Sequence, residues 1–374
     1  MVIAVNIREL SGNSAIGKLL IDCFEMIAAN YPEHEFIFIG EKELTAQNNG
    51  LQNVKRIILP QHSDNPILWK LWYNYKLPST LKKVKADILF TADGVCSLRT
   101  KVPQCLIIND LAFLQYPEWY SKKYLRFIKS NTGGFLKKAK TVVTFSATLK
   151  NEVAKRYDVV ENKITVIPAT SGKKYQPITW EAKELVKEKY TEGKEYFLFS
   201  GRIHPGSNLV NLLKAFSLFK KRQKSNMLLI IASQDIPQDA PFVESLKLYK
   251  YRHEVKLIPG LNNDILKEIT AAAYACINMA PLHNDIAGLF NAMQCGVPVI
   301  AGNLHLAMEL LEDAALFANG DVPEHIADRL MLLYKDETKR NELVKKAMLQ
   351  SSKYHLNQTA DALWEIIPAT MQLS

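Results

Sequence analysis

The sequence predicts a two-domain α/β protein in which each domain is a doubly wound parallel sheet. Three observations predict it. A chain of 374 residues is long enough for two hydrophobic cores. Short apolar runs alternate with longer helical stretches through both halves, the pattern of strands joined by crossover helices. The stretch 281–303, PLHNDIAGLFNAMQCGVPVIAGN, reads as loop, helix over 286–295, Gly296 as stop and buried strand over 298–301. With the apolar run 275–279 before it, this makes one right-handed crossover unit whose loop lies at the carboxyl edge of the sheet.

Taken in order, residues 2–6 form a first strand, followed by a polar loop and a helix over 16–30. Strands follow at 35–40 and 54–60. The aromatic and basic stretch 66–85 reads as two helical pieces broken at Pro78. Strands at 86–91 and 105–109 each end in a polar turn. A basic helix over 121–138 is interrupted near Gly133 and Gly134. A strand at 141–145, a helix at 147–157 and a strand at 163–168 close the first half. The second series has strands at 196–200, 227–232, 255–259, 275–279, 298–301 and 315–317, with helices between them and three more at the end. The expected domains are 1–175 and 176–355, with a final helix, 356–374, crossing back to the first.

Composition bounds the function. No apolar run approaches the roughly 20 residues that span a bilayer, and MVIAVNIREL reads as a strand rather than a signal peptide. A cytoplasmic protein is expected. The five cysteines are scattered without metal-ligand spacing and read as reduced buried thiols. Residues 1–175 hold 25 Lys and Arg against 15 Asp and Glu, whereas residues 176–374 hold 22 against 23. The positive excess is therefore confined to the first half, which suits a phosphorylated or lipid-linked substrate, a membrane surface or a nucleic acid. No nucleic-acid-binding motif accompanies it, and a peripheral contact with the inner face of a membrane fits the same charge.

Three loops of the second half would line its carboxyl edge: 201–208, 260–263 and 281–286. In SGRIHPGSNLVNLLKAF, Gly201 permits close approach, Arg202 is a fixed cation suited to phosphate, and Ser207 and Asn208 supply a turn and a helix cap. The helix at 286 presents unpaired N–H groups that suit an anion.

With these motifs in view, the chain resembles the retaining glycosyltransferases of GT-B fold. The segments 11–20, NDLAFLQYPEW at 109–119, 142–168, 200–216, 292–301 and 309–327 resemble that group's motifs in order, over nearly the whole chain. The resemblance implies two Rossmann-like doubly wound domains facing across a cleft. It implies transfer of a hexose from a nucleotide-diphosphate sugar to a saccharide or lipid-linked acceptor, with retention and without a metal or other cofactor. In that group two glutamates eight positions apart grip the donor, an Arg and a Lys neutralise the leaving diphosphate, and a His of the first domain sits near the reacting carbon.

Mapped onto this chain, Arg202 is kept, the lysine position is Ser207, and the glutamate positions are His283 and Asn291. The histidine position is Asn109, with Asp110 kept beside it; the first glycine of the acceptor loop is Ala15, with Gly17 kept. The expected catalytic residues are Asn109, Asp110, Arg202 and His283. Gly17, Gly201, Ser207, Asn208 and Asn291 would bind the substrates, together with the backbone of Ile286, Ala287, Gly288 and Leu289. The replacements leave an alternative: a weak or inactive homologue that binds a saccharide or a partner protein.

Overall fold

A computed structural model describes residues 1–7, 15–41, 50–60, 65–167, 175–237, 241–260, 262–280 and 283–372. Residues 8–14 of the expected acceptor loop and the loop residues 281–282 lie outside them, as do the side chains of residues 283–287. The chain forms two compact units, Met1–Thr170 with His355–Ser374, and Ser171–Tyr354.

In the first unit the elements run β1 (Val2–Asn6), α1 (Ala15–Asn30), β2 (Glu35–Gly40), β3 (Val54–Ile58), α2 (Pro66–Leu71) and α3 (Leu77–Lys83). They continue with β4 (Ile88–Thr91), β5 (Gln104–Ile107), α4 (Ala112–Gln115), α5 (Lys122–Lys138), β6 (Thr141–Thr144), α6 (Ala147–Tyr157) and β7 (Ile164–Val166). The sheet order is β3-β2-β1-β4-β5-β6-β7, every pair parallel. Strands such as ILFT and EFIFIG are apolar nearly throughout because helices cover both sides of the sheet.

The second unit runs α7 (Trp180–Thr191), β8 (Tyr196–Ser200), α8 (Leu209–Gln223), β9 (Leu228–Ala232), α9 (Pro241–Lys247), β10 (Val255–Ile258), α10 (Asn263–Ala271) and β11 (Ala275–Asn278). Then come α11 (His283–Gln294), β12 (Val299–Gly302), α12 (His305–Leu311), β13 (Leu316–Ala318), α13 (Pro323–Lys335) and α14 (Glu337–Ser351). Its order is β10-β9-β8-β11-β12-β13, again all parallel. One apolar layer packs α8 and α13 on the sheet, and the other packs α10 and α11 on its opposite face. The last helix, α15 (Leu356–Gln372), belongs to the first unit, where Leu363 and Ile367 are fully buried against α1 and the sheet.

Three local expectations change. Pro78 does not break the helix; the irregularity is a π-helical turn at Trp72–Lys76, one turn earlier. Proline removes one N–H and crowds the carbonyl four residues back, and the widened turn absorbs both. Helix α5 runs unbroken through Gly133 and Gly134, since its buried stripe of Phe127, Ile128, Thr132, Phe135 and Leu136 outweighs two weak helix formers. Helix α11 begins at His283 rather than at 286.

Candidate functional site

In a doubly wound sheet ligands collect outside the strand carboxyl ends, where the order reverses. That point lies between β8 and β11 in the second unit and between β1 and β4 in the first. The four strands flanking these points share a feature. Each is apolar until its last residue, which is Asn6, Thr91, Ser200 or Asn278.

In the second unit Gly201 follows β8, and its N–H donates to the Ala232 carbonyl at 3.1 Å. A methyl at Gly201 would touch the Phe199 ring at 3.4 Å, with the Asn278 amide nitrogen at 3.8 Å. Asn278 is buried and its Oδ1 accepts from the Ala280 N–H at 2.8 Å, which fixes the turn leaving β11. Arg202 is exposed and has no acidic partner among the described residues. A surface guanidinium without a carboxylate is available to an external anion.

Ser207 sits otherwise. It is buried, its hydroxyl donates to the Arg202 carbonyl at 2.6 Å and accepts from the His204 N–H at 3.1 Å. At the lysine position this chain therefore has a hydroxyl committed to holding the turn that carries Arg202. Asn208 occupies the N-cap of α8 but makes no side-chain cap bond, contrary to expectation. Its backbone is left-handed, φ 57°. Its Nδ2 donates to Asp321 at 3.4 Å and its Oδ1 accepts from Asn211 at 2.9 Å.

Helix α11 lies close against the end of β8. A Cβ at Gly288 would come within 3.3 Å of Ser200 Oγ and 3.4 Å of its carbonyl oxygen. Because the helix starts at His283, the N–H groups that helix geometry leaves without an intrahelical partner belong to its first turn, and Gly288 and Leu289 of the expected stretch 286–289 lie beyond it. Polar His283, Asn284 and Asp285 suit a first helical turn, and Asp near the amino end favours helix formation there. Leu289 is a core residue. Three residues beyond Gly288, on the same face of the helix, Asn291 has a buried Oδ1 with no hydrogen-bond partner. The side chain of His283 lies outside the described residues, as do those of Ile286 and Ala287.

In the first unit Asn109 follows β5. Its Nδ2 donates to the Ala92 carbonyl at 2.8 Å, while its Oδ1 is buried without a partner, as is the hydroxyl of Thr91. Asp110 accepts from the Ala112 N–H at 2.9 Å, opening α4. Beside them Asn6 Nδ2 reaches Tyr73 Oη at 3.3 Å and Asp93 Oδ2 at 3.4 Å, and the Tyr73 hydroxyl donates to Asp93. Gly17 is buried in the first turns of α1. Asn6, Tyr73, Asp93, Thr91, Ser200 and Asn278 were not expected at the site. The polar residue closing an apolar strand is the signal that marks four of them.

A cavity of about 420 Å³ lined by Tyr175, Ile178, Leu185, Val186, Ala271 and Cys295 lies elsewhere in the second unit. Its walls come from the stretch before α7, from α7 itself, from the carboxyl end of α10 and from Cys295 just after α11. No cluster of metal-ligating side chains occurs among the described residues.

Two parallel doubly wound sheets, each with polar residues at its reversal point, define the class of a two-domain Rossmann-like α/β protein, and solved structures give the arrangement a name. A glycosyltransferase involved in lipopolysaccharide biosynthesis, WaaG, aligns over 98% of this chain and 99% of its own, with TM-score 0.79 and 15% identity. The Anabaena Alr3699/HepE protein in complex with UDP-glucose aligns over 99% and 100%, with TM-score 0.77 and 15% identity. This is the GT-B fold. Residues 181–350 match the family model "Glycosyl transferases group 1", and residues 31–169 match "Glycosyltransferase Family 4". The chain belongs to the group 1 glycosyltransferases.

Among curated relatives, "O-antigen chain mannosyltransferase B" of Escherichia coli is 20% identical over 66% of this chain. "O-antigen chain mannosyltransferase RfbU" of Salmonella typhimurium is 26% identical over 61% of it. The chain spans 65% and 61% of these relatives' own length, less than two thirds.

Proposed function

We propose that this protein moves a hexose from a nucleotide-diphosphate sugar to a saccharide or lipid-linked acceptor, with retention of configuration. The observation that carries this reading is the group gathered at the reversal point of the second unit. An unpaired Arg202 follows β8, α11 packs through Gly288 on the end of that strand, and an unsatisfied Asn291 oxygen lies on the same face of α11. The guanidinium takes the diphosphate, the first turn of α11 adds backbone donors, and Asn291 accepts from a ribose hydroxyl. His283, the first residue of that turn, contacts the sugar. In the first unit Asn109 and Asp110 serve the acceptor side, with the Asn109 carbonyl oxygen free to accept from a sugar hydroxyl.

In this reading the bond between the anomeric carbon and the diphosphate oxygen breaks as the acceptor oxygen bonds to the same face. The acceptor proton passes to a phosphate oxygen, and Arg202 neutralises the charge left on the diphosphate. This requires no metal. The mannosyltransferase names of the relatives make mannose the first sugar to test.

Calorimetry against UDP-, GDP- and ADP-hexoses, followed by a transfer assay with the donor that binds, tests the reading. One donor is expected to bind, and Arg202→Ala is expected to weaken it by about tenfold or more, as loss of a charge-assisted bond of roughly 1.5–3 kcal/mol implies. The native fold should be untouched, since Arg202 is exposed. No donor binding at millimolar concentration would overturn the proposal. The replaced lysine, glutamate and histidine positions favour a second reading, a homologue that binds sugar without turnover, and donor binding without transfer or hydrolysis would establish it.

A further inference from the structure

The helical stretch after β3 has two unlike faces. On one, Trp69, Trp72 and Tyr73 are buried; the Trp69 ring packs edge-on against Tyr124 and Phe127 of α5, each at 5.7 Å. On the other, Ile67, Leu68, Leu71 and Tyr75 are 68%, 40%, 49% and 52% exposed. Ile67, Leu71 and Tyr75 recur at i, i+4 and i+8, so they form a stripe along one side of the helix. Leu98, 40% exposed, adjoins it through a hydrogen bond from its N–H to Asn74 Oδ1 at 2.9 Å. A solvated helix carries polar side chains at such positions. Single exposed apolar residues are ordinary, whereas a contiguous stripe marks a contact surface.

The charge around the stripe has one sign. Lys70, Lys122, Lys123, Arg126 and Lys129 are exposed, and none has an acidic partner among the described residues. The Arg99 guanidinium lies 4.5 Å over the Tyr75 ring. From Asn65 to Ala86, and throughout α5, the sequence contains no Asp or Glu. Lys70 lies on the helix that carries the stripe, and α5, which carries the other cations, is its packing neighbour through Trp69.

We propose that this face docks on an anionic lipid bilayer, with Ile67, Leu68, Leu71 and Tyr75 entering the boundary between headgroups and acyl chains. The lysines and arginines then meet the headgroup phosphates. Each part of the surface has a use in this setting, because apolar insertion and attraction to anionic lipid act together in helices that lie on a membrane. A second copy of the chain suits the stripe poorly, since it would bring the same unpaired cations against these. A nucleic acid would use the cations but leave the aliphatic stripe in water, and the face of Tyr75 is already covered by Arg99. No helix among the described residues is long and apolar enough to cross a membrane, so the contact lies along the surface.

Sedimentation with vesicles of phosphatidylcholine alone, or with about a third phosphatidylglycerol, tests the proposal without any need for turnover. The protein is expected to sediment with the anionic vesicles and not with the neutral ones. The double variant Ile67→Ser, Leu71→Ser should bind about tenfold more weakly or worse, through lost apolar insertion. Lys122→Glu with Lys123→Glu should weaken binding by a similar factor at low salt and less at high salt. All four side chains are exposed, and unchanged thermal unfolding will verify that the variants are folded. Failure to bind anionic vesicles, equal binding to neutral ones, or full binding by the serine variant each overturns the proposal. So does a dimer in gel filtration that the serine variant dissolves, or a nucleic-acid complex that excludes the vesicles.

Discussion

Asn291 and Asn109 each keep a buried carbonyl oxygen without a partner, and such an atom costs about 1–3 kcal/mol. A residue kept only for the fold would not retain that cost, which makes these positions testable in two directions at once. Asn291→Leu is near in volume and removes the unsatisfied group. The variant should unfold about 2–4 °C higher, as about 1 kcal/mol implies for a unit of this size, while donor affinity falls. A rise in midpoint with donor affinity unchanged would assign Asn291 no ligand. The sequence made part of this legible: Arg202 stands in a loop that the alternation of strand and helix places at a sheet edge, and the resemblance to the GT-B glycosyltransferases singled out Asn109 and Asn291. It could not show that the Ser207 hydroxyl is spent on the Arg202 carbonyl and the His204 N–H. Nor could it show that the Asn208 amide bonds Asp321, at a residue whose backbone is left-handed although it is not glycine.

Elements were legible where period and length agreed, and less so where packing decided. Most strands among the described residues are joined through helices as the apolar pattern requires, though none lies between β4 and β5, whereas the start of α11 and the course of α5 through two glycines follow from tertiary contacts. Helix α15 shows how far apart in sequence the members of a unit lie. Trp364 stacks on Tyr31 at the end of α1 with ring centroids 3.8 Å apart, and Thr370 donates to or accepts from Thr141 of β6 at 2.7 Å. Leu363 is wholly buried in the same layer. Leu363→Ala should therefore destabilise the first unit by about 2–5 kcal/mol, the usual cost of a cavity at a closed site. Tryptophan fluorescence during urea unfolding reports it, since Trp69, Trp72, Trp119 and Trp364 are in that unit and Trp180 alone is in the other. An unchanged fluorescence midpoint would mean that α15 is dispensable to the unit it packs on.

Across the whole molecule all five cysteines are free and buried. Burial pushes the Cys96 and Cys295 thiols up to about 12, and raises those of Cys23, Cys105 and Cys276 further. An unfolded thiol titrates near 8.5. Between roughly pH 8.5 and 9.5 the unfolded chain therefore releases protons that the folded chain keeps, and stability must fall as pH rises, by about 1 kcal/mol per thiol across that unit. Cys23, Cys96 and Cys105 lie in the first unit, and Cys276 and Cys295 in the second. Across that pH unit the first should lose about 3 kcal/mol from its thiols and the second about 2. Lys163 and Lys183, lowered by burial, act in the opposite sense, one in each unit. Tyrosines raised by burial act in the same sense as the thiols, Tyr157 in the first unit and Tyr175, Tyr196, Tyr249, Tyr274 and Tyr354 in the second, but they titrate near 10 when unfolded, so the thiols decide the comparison only up to about pH 9.5. Between neutral pH and pH 9.5, urea midpoints should fall more steeply in tryptophan fluorescence, which follows the first unit, than in far-ultraviolet circular dichroism, which follows both. In native protein at pH 8, Ellman's reagent should find no fast-reacting thiol, and rapid modification of even one would show that its side chain is not shielded in solution.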